Sequence, residues 1–336
     1  MNTQHQITLA KRPEGLPGQE HFSFEKTDVP SPQKGEVLIQ SIYISVDPYM
    51  RGRMEDTKSY VEPFQVGRVI DGGVVGKVVE SESDKFSKGD YVIGHLGWKE
   101  YSTARESIIR KVDKNLAPLS AYLGVLGMPG LTAYFGMTDI GQPEDGETVV
   151  ISGAAGAVGM IAGQIAKVHG AKVIGIAGSD EKVSLLKEDA GFDEAINYKT
   201  TSDIHTALRE ACPNGVDVYF DNVGGEISDA VYPLLNDFAR IPQCGAISSY
   251  NKGGDDVGPR IQTYMIKARV RLQGFIVSDY ADRFDEGAKQ LGMWLQEGKL
   301  TYKETINEGF DKIPDAFLGL FSGENTGKQL IKVAEE

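Results

Sequence analysis

Apolar and polar positions change rhythm twice along the chain. From the start to about residue 125, short apolar runs alternate with turn residues. Val37-Leu38-Ile39-Gln40-Ser41-Ile42-Tyr43-Ile44, Val74 to Val79 and Tyr91-Val92-Ile93 are rich in β-branched and aromatic residues. Pro30-Ser31-Pro32 and Ser87-Lys88-Gly89-Asp90 punctuate them. Strands without intervening helices predict a small irregular barrel or sandwich. Near Ala121 the pattern changes. From about 147 to 297, strand-like and helix-like stretches alternate. Strands are expected over 147–152, 172–177, 194–197, 216–221, 239–248 and 270–277, and helices over 157–169, 180–190, 202–211 and 281–297. The strand stretches are near-continuous apolar runs, as for strands covered on both faces. Six of them in that rhythm predict an α/β fold with a doubly wound, mostly parallel sheet. Thr301 to Glu336 breaks the rhythm, with a short helix near Asp311–Phe321 and a final strand from Gln329 to Val333. It is expected to return to the first domain. The domains expected are therefore 1–125, completed by 301–336, and 126–300.

Composition narrows the class. The 336 residues suffice for two domains, and an apolar fraction of 40% suits a soluble core. A net charge of −13 argues against a nucleic-acid footprint. No uninterrupted apolar segment is long enough to span a bilayer. The start, Met1-Asn2-Thr3-Gln4-His5, lacks a charged n-region and an apolar h-region, so no secretory signal is expected. Cys212 and Cys244 make no disulfide framework. A reducing, cytoplasmic setting is the simplest expectation.

The chemistry begins at Ile151-Ser152-Gly153-Ala154-Ala155-Gly156-Ala157-Val158-Gly159. This stretch follows the apolar run Thr148-Val149-Val150 and opens a helix-patterned stretch from Met160 to Val168. Strand, glycine turn and helix together are the context of a dinucleotide site. Gly156 would let the backbone approach a pyrophosphate, Gly159 would let the helix lie close to the sheet, and the helix N-terminus would face the phosphates. Ala154 stands where G-x-G-x-x-G has its first glycine.

A NAD site usually carries Asp or Glu at the tip of the second strand, for the ribose 2′-hydroxyl. Here that strand, Lys172-Val173-Ile174-Gly175-Ile176-Ala177, ends in Gly178-Ser179, with Lys182 a turn later. No carboxylate, a small hydroxyl and a nearby cation favour a 2′-phosphate, hence NADP over NAD. Asp180 and Glu181 fit helix positions N1 and N2, where the dipole favours them. Lys182 also reads as an ordinary solvated helix lysine.

The chain resembles the zinc-independent medium-chain dehydrogenase/reductases. Within them it is most similar to the branch with prostaglandin reductases (leukotriene B4 12-hydroxydehydrogenase), plant alkenal double-bond reductases and bacterial curcumin reductase. The resemblance covers nearly the full length. It rests on Asp47-Pro48-Tyr49-Met50-Arg51-Gly52-Arg53-Met54, Gly127-Met128-Pro129-Gly130-Leu131-Thr132-Ala133-Tyr134, Ala154 to Gly159, Phe220-Asp221-Asn222-Val223-Gly224-Gly225, Cys244-Gly245-Ala246-Ile247-Ser248 and Gly323-Glu324-Asn325-Thr326-Gly327-Lys328. The surroundings of Ser59-Tyr60 and Val78-Val79-Glu80-Ser81 lean toward the curcumin reductases. The resemblance implies a GroES-like first domain, a Rossmann second domain with a six-stranded sheet, an active site in the cleft between them, and a homodimer through edge strands of the Rossmann sheets. It also implies NADPH as cofactor. By motif, Gly156, Ala157, Val158 and Gly159 would hold the pyrophosphate, and Ser179, Lys182 and Tyr198 would surround the 2′-phosphate. Asn222, Cys244, Gly245, Ala246, Ile247, Ser248, Tyr250, Phe275, Ile276, Val277 and Asn325 would line the rest. Ala154 is this family's own pattern.

The implied reaction is reduction of a carbon–carbon double bond conjugated to a carbonyl. It needs hydride at the β carbon, a proton at the α carbon or oxygen, and donors to an oxygen that becomes an enolate. The cofactor carries the hydride, so neither metal nor nucleophile is required. Tyrosines suit the donor role, because a phenol titrates only near about pH 10 in water and donates while uncharged. Tyr264, in Ile261-Gln262-Thr263-Tyr264-Met265-Ile266, matches the family tyrosine thought to stabilise the enolate or relay a proton; it also reads as a core aromatic on a helix. Tyr49 is the second candidate, for shaping or hydrogen-bonding substrate. Tyr49, Tyr60, Phe64, Met128, Tyr250 and Tyr264 would line the substrate site. Arg51 and Arg53 read either as attractors of anionic substrates or as structural ion pairs. Asp47 reads as a turn former before proline, and Cys244 as a packing residue. His169 and His205 read as surface helix residues. Both cysteines lie in the Rossmann half, and His5, His21 and His95 have no thiolate partners in the first domain. A catalytic zinc site is therefore not expected. An NADPH quinone oxidoreductase and a non-catalytic, crystallin-like NADPH-binding protein remain open alternatives.

Overall fold

The computed structural model describes residues 3–253 and 256–336. Met1 and Asn2, which open the N-terminal stretch discussed above, lie outside the described residues. The chain forms two compact units. One comprises Met1–Leu123, Glu304–Asn325 and Gln329–Glu336, and the other Gly124–Lys303 and Thr326–Lys328.

The first unit is β-rich. Strands β1 (Thr3–Leu9) and β2 (Phe22–Asp28) pair antiparallel. β3 (Glu36–Ser45) is the hub of a second sheet with β4 (Gly73–Ser81), β5 (Tyr91–His95), β6 (Tyr101–Arg105) and β7 (Ile109–Lys111). It bonds β4, β6 and a strand from the C-terminal segment, and most of its residues are buried on both faces, which is why its sequence reads as a nearly continuous apolar run. Register shifts between β3 and β4 bend the sheet, as bulges do. Helix α1 (Met50–Arg53) follows β3 through the Asp47-Pro48-Tyr49 turn. Trp98, Phe22 and a C-terminal phenylalanine, Phe317, meet at ring distances of 5.9–6.2 Å in the core.

The second unit is a Rossmann fold. Its strands are β8 (Thr148–Ile151), β9 (Lys172–Ala177), β10 (Glu194–Asn197), β11 (Val216–Phe220), β12 (Leu235–Gln243) and β13 (Arg271–Gly274). They lie in the order β10-β9-β8-β11-β12-β13, every pair parallel. The helices are α2 (Met128–Phe135), α3 (Gly159–Val168), α4 (Asp180–Glu188), α5 (Ile204–Ala211), α6 (Gly225–Val231), α7 (Gln262–Ala268) and α8 (Phe284–Gln296). β8 is buried throughout and β9 in all but its first residue, as their apolar sequences require. The chain then adds β14 (Glu304–Glu308), α9 (Ile313–Ser322) and β15 (Lys328–Lys332), and β15 pairs antiparallel with β3.

The expected alternation of strands and helices stands, with three corrections. The strand expected over 239–248 runs from Leu235 and ends at Gln243, because the amides beyond it turn back onto the neighbouring loop. The strand expected over 270–277 ends at Gly274, and a 3₁₀ turn follows over Val277–Arg283. All of β13, Arg271-Leu272-Gln273-Gly274, is exposed rather than covered on both faces, because it is the sheet's edge. Among the described residues no helix is long and apolar enough to cross a membrane.

Candidate functional site

In an open parallel sheet, ligands bind beyond the carboxyl ends of the strands, where strand order reverses. Here that point lies between β8 and β11, which pair with Ile151 opposite Phe220. The loops leaving these two strands start side by side: Ser152 donates its N–H to Phe220 O at 3.1 Å. Ala154 N–H bonds Ile176 O of β9 at 3.0 Å, so the glycine turn is tied to the strand on its other side too. Close approach then demands glycine at 159, since a Cβ there would lie 2.4 Å from Gly153 O. Gly156, Ala157 and Val158 remain partly accessible at the start of α3, where first-turn N–H groups lack intrahelical acceptors. Gly327 N–H bonds Ala155 O at 2.7 Å, and Asn325 lies two residues earlier, in the first unit.

The tip of β9 carries a cationic cluster. Ser179 caps α4, its hydroxyl accepting the Lys182 N–H at 3.3 Å, with Asp180 and Glu181 in the first turn. Tyr198, just past β10, is tied to the end of β9 by its N–H to Ala177 O at 3.1 Å. A Cβ on Gly178 would touch the Tyr198 ring at 3.1 Å and Lys199 Cε at 3.2 Å, so these side chains lie over the β9 tip. Burial, and then the charge of Lys199, lower the Lys182 pKa. Two cations held close enough to disfavour each other suit a dianion, and no carboxylate takes the ribose position of β9. The sequence carries no signal for Lys199 here, because the pairing of β10 with β9 is what brings it to the β9 tip.

Beside β11, the segment after β12 folds back. Cys244 and Gly245 donate N–H bonds to Asp221 O (2.8 and 3.1 Å), Ile247 to Asn222 O (3.3 Å) and Ser248 to Val223 O (3.1 Å). Asn222 uses its amide to reach Ser152 O at 2.8 Å. Tyr250 Oη accepts the Ala246 N–H at 3.3 Å; burial pushes the phenol pKa up. Burial also pushes the Cys244 thiol up to about 12 and the Cys212 thiol up to about 11, which disfavours the thiolate in both. The Phe275 ring meets Phe220 edge-on at 6.3 Å and Tyr280 at 6.5 Å, and Ile276 and Val277 continue from it, partly buried.

Tyr264 lies in α7, half-buried, with its ring against the core that holds Tyr219, Ile227 and Ile241. The core-aromatic reading therefore describes its ring. Its hydroxyl makes no hydrogen bond among the described residues. In the first unit, Tyr49 caps α1, and burial followed by the charges of Asp47 and Asp71 raises its phenol pKa far above the ordinary value. Phe64 is a core residue under the Arg53 guanidinium, 4.1 Å from the ring centroid, whereas Tyr60 is exposed. Met128 opens α2 in the second unit, partly exposed. Arg51 pairs with Glu55 at 3.1 Å and Arg53 with Asp71 at 3.2 Å, which is the ion-pair reading of both. Among the described residues no group of three or more His, Cys, Asp or Glu is placed to hold a metal.

Residues 5–112 match the N-terminal domain of oxidoreductases, and residues 157–292 match a family described as zinc-binding dehydrogenase. The chain belongs to the medium-chain dehydrogenase/reductases, in the branch of the curcumin and prostaglandin reductases. It is 65% identical over 335 residues to YfmJ of Bacillus subtilis, covering 99% of this chain and 98% of that one. It is 45% identical over 331 residues to the NADPH-dependent curcumin reductase of Escherichia coli, covering 97% and 96%. The crystal structure of CurA from Vibrio vulnificus in complex with NADPH superposes with a TM-score of 0.95 at 44% identity, covering 99% of this chain and 100% of that one.

Proposed function

We propose that this protein is a cytoplasmic enzyme that binds NADPH and reduces the carbon–carbon double bond of α,β-unsaturated ketones and aldehydes. Curcumin-type enones, alkenals and 15-oxo-prostaglandin-like molecules are the substrates in view. The residues present fit the cofactor: a glycine turn a Cβ would fill, a helix start beside it, and two lysines at the strand tip. Gly156 to Gly159 hold the pyrophosphate there. Lys182, Lys199 and Tyr198 take the 2′-phosphate. Asn222, Phe275–Val277 and the 244–250 segment line the nicotinamide half.

NADPH, when bound, supplies the hydride. As hydride adds to the β carbon, the π electrons move onto the carbonyl oxygen as an enolate, and a proton then reaches the α carbon. Tyr264 donates its phenolic hydrogen bond to that oxygen. Tyr49 shapes or hydrogen-bonds the substrate, and its raised pKa keeps it a neutral donor at every working pH. A second copy of the chain is the proposed partner, through the exposed edge strand β13.

The observation that carries this reading is the Tyr264 hydroxyl, which makes no hydrogen bond among the described residues, in a chain 45% identical to a curcumin reductase. The test is NADPH consumption on a medium-chain enone, an enal, curcumin and a simple quinone, comparing wild type with Tyr264→Phe. Enone kcat should fall by about a hundredfold, the usual loss of one oxyanion donor. Quinone turnover that ignores the substitution, with no enone activity, moves the assignment to quinone reduction. Tight NADPH binding without turnover moves it to a non-catalytic binder.

A further inference from the structure

We propose that Asp221 is the positioning residue that fixes the nicotinamide-side wall of the site. This rests on the reading that Asn222 and the 244–250 segment face the cofactor. The Asp221 side chain is fully buried, and its bonds come from neutral donors. Oδ1 accepts from Ser152 Oγ at 2.9 Å, Tyr219 Oη at 3.0 Å, and the N–H groups of Val223 and Gly224 at 2.9 Å each. Oδ2 accepts from Ser228 Oγ at 2.7 Å and Gln243 Nε2 at 3.1 Å. Its backbone oxygen takes the N–H groups of Cys244 and Gly245.

These donors come from the ends of β8, β11 and β12 and from the start of α6. Ser152 follows β8 at the glycine turn, and its Oγ also receives the Asn222 N–H at 2.9 Å. Val223 and Gly224 form the turn into α6, Ser228 lies on α6, and Gln243 is the last residue of β12. One carboxylate thus ties three strand ends and a helix. A buried charge without a cation is tolerated only when donors replace its hydration, and six of them do so here. The chemistry requires a carboxylate. An amide of the same shape offers one acceptor oxygen, and its NH₂ would face donors on the other side.

The variant to make is Asp221→Asn, isosteric and neutral, measured beside wild type and Ser228→Ala. NADPH affinity is read by nicotinamide fluorescence, turnover on the enone by kcat and KM separately, and amide hydrogen exchange without cofactor. We expect the Kd for NADPH to rise at least roughly tenfold, about the loss of one charge-assisted hydrogen bond, and kcat to fall with it while KM for the enone holds. Amides of Val223, Gly224, Cys244 and Gly245 should exchange faster, and those of β9 and β10 unchanged. Ser228→Ala, which removes one donor, should move the same readouts in the same direction by a smaller factor. It keeps the test open if Asp221→Asn does not fold. Wild-type binding of NADPH with unchanged affinity, turnover and exchange in both variants overturns this role alone. A wild type that does not bind NADPH overturns the reading of the site beneath it.

Discussion

At the scale of single residues, the proposed 2′-phosphate site rests on Lys182 and Lys199. A lysine on a 2′-phosphate contributes a charge-assisted bond of about 1.5–3 kcal/mol, or roughly ten- to a hundredfold in affinity. Lys182→Ala and Lys199→Ala should each raise KM for NADPH by about that factor and leave KM for NADH nearly unchanged. Equal losses on both cofactors would show that the lysines serve the fold instead. The sign of the pH dependence follows from the depressed Lys182 value, set by burial and by Lys199. A phosphate dianion restores the charged form, so NADPH binding takes up protons above the lowered pKa. Affinity for NADPH should therefore decline as pH rises through that value toward the ordinary lysine range, while NADH shows no such slope. Half of this cluster was legible in the chain: a strand tip without a carboxylate, and a lysine one turn later. Lys199 was not, because it is local to a different strand. Asp221 lies within Phe220-Asp221-Asn222-Val223-Gly224-Gly225, but its side-chain bonds span residues 152 to 243 and so are not local in sequence. Phe64 reads as a ligand-facing aromatic in the chain, and its stacking under Arg53 was not legible there, because Arg53 lies eleven residues away.

Among the elements, periodicity located β9 and β10 to the residue and β8 and β11 within one. It failed where hydrogen bonds, rather than hydrophobic pattern, end a strand. Ala246-Ile247 continues the apolar run of β12, yet the amides of Cys244, Gly245, Ile247 and Ser248 bond residues 221 to 223, that of Ala246 bonds Tyr250 Oη, and the segment forms a turn. α2 carries no amphipathic signal in the chain because all its residues but Met128 are buried and it lacks a polar face, and the π-helical Gly136–Gly141 extends it. Arg240 of β12 ties these parts. It donates Nε–H to Gly141 O at 2.9 Å and reaches Glu147, just before β8, with Nη1 at 2.8 Å from Oε1. Burial acts to raise the Glu147 carboxyl, but the Arg240 fork and the Glu144 N–H outweigh it and hold its pKa low. A depressed carboxylate stabilises the fold above its unfolded value, about 4.3, and that contribution is lost as pH falls through the folded value. Glu147→Gln should therefore cost roughly 1–3 kcal/mol at pH 7 by urea unfolding. The gap between variant and wild type should close in acid below about pH 4. A gap that persists there would assign the loss to packing rather than to the ion pair.

Assembly belongs to the scale of the whole molecule, and the edge of the Rossmann sheet carries the argument. β13 has no strand on its outer side among the described residues, and each of its residues is exposed. Within it Leu272 is 39% exposed, and Ile266, shortly before it in sequence, 76%. On the neighbouring β12, Phe238 projects at 62% exposure from a left-handed bulge position, with Arg269 over its ring at 4.5 Å. Such an edge invites pairing unless it is blocked, and no proline stands in β13. Two copies related by a two-fold axis would join their β13 strands and continue each six-stranded sheet into the other. Each copy carries a net charge of −13, so their long-range repulsion opposes that meeting and is screened by salt. Light scattering on the eluted protein should give twice the chain mass, with dissociation on dilution more evident at low ionic strength. Leu272→Lys places two like charges across the proposed seam and should yield the monomer at micromolar concentration, with NADPH binding retained because the glycine turn and the β9 tip lie on other strands. Wild type eluting as a monomer, or Leu272→Lys remaining dimeric, would place the contact elsewhere or remove it.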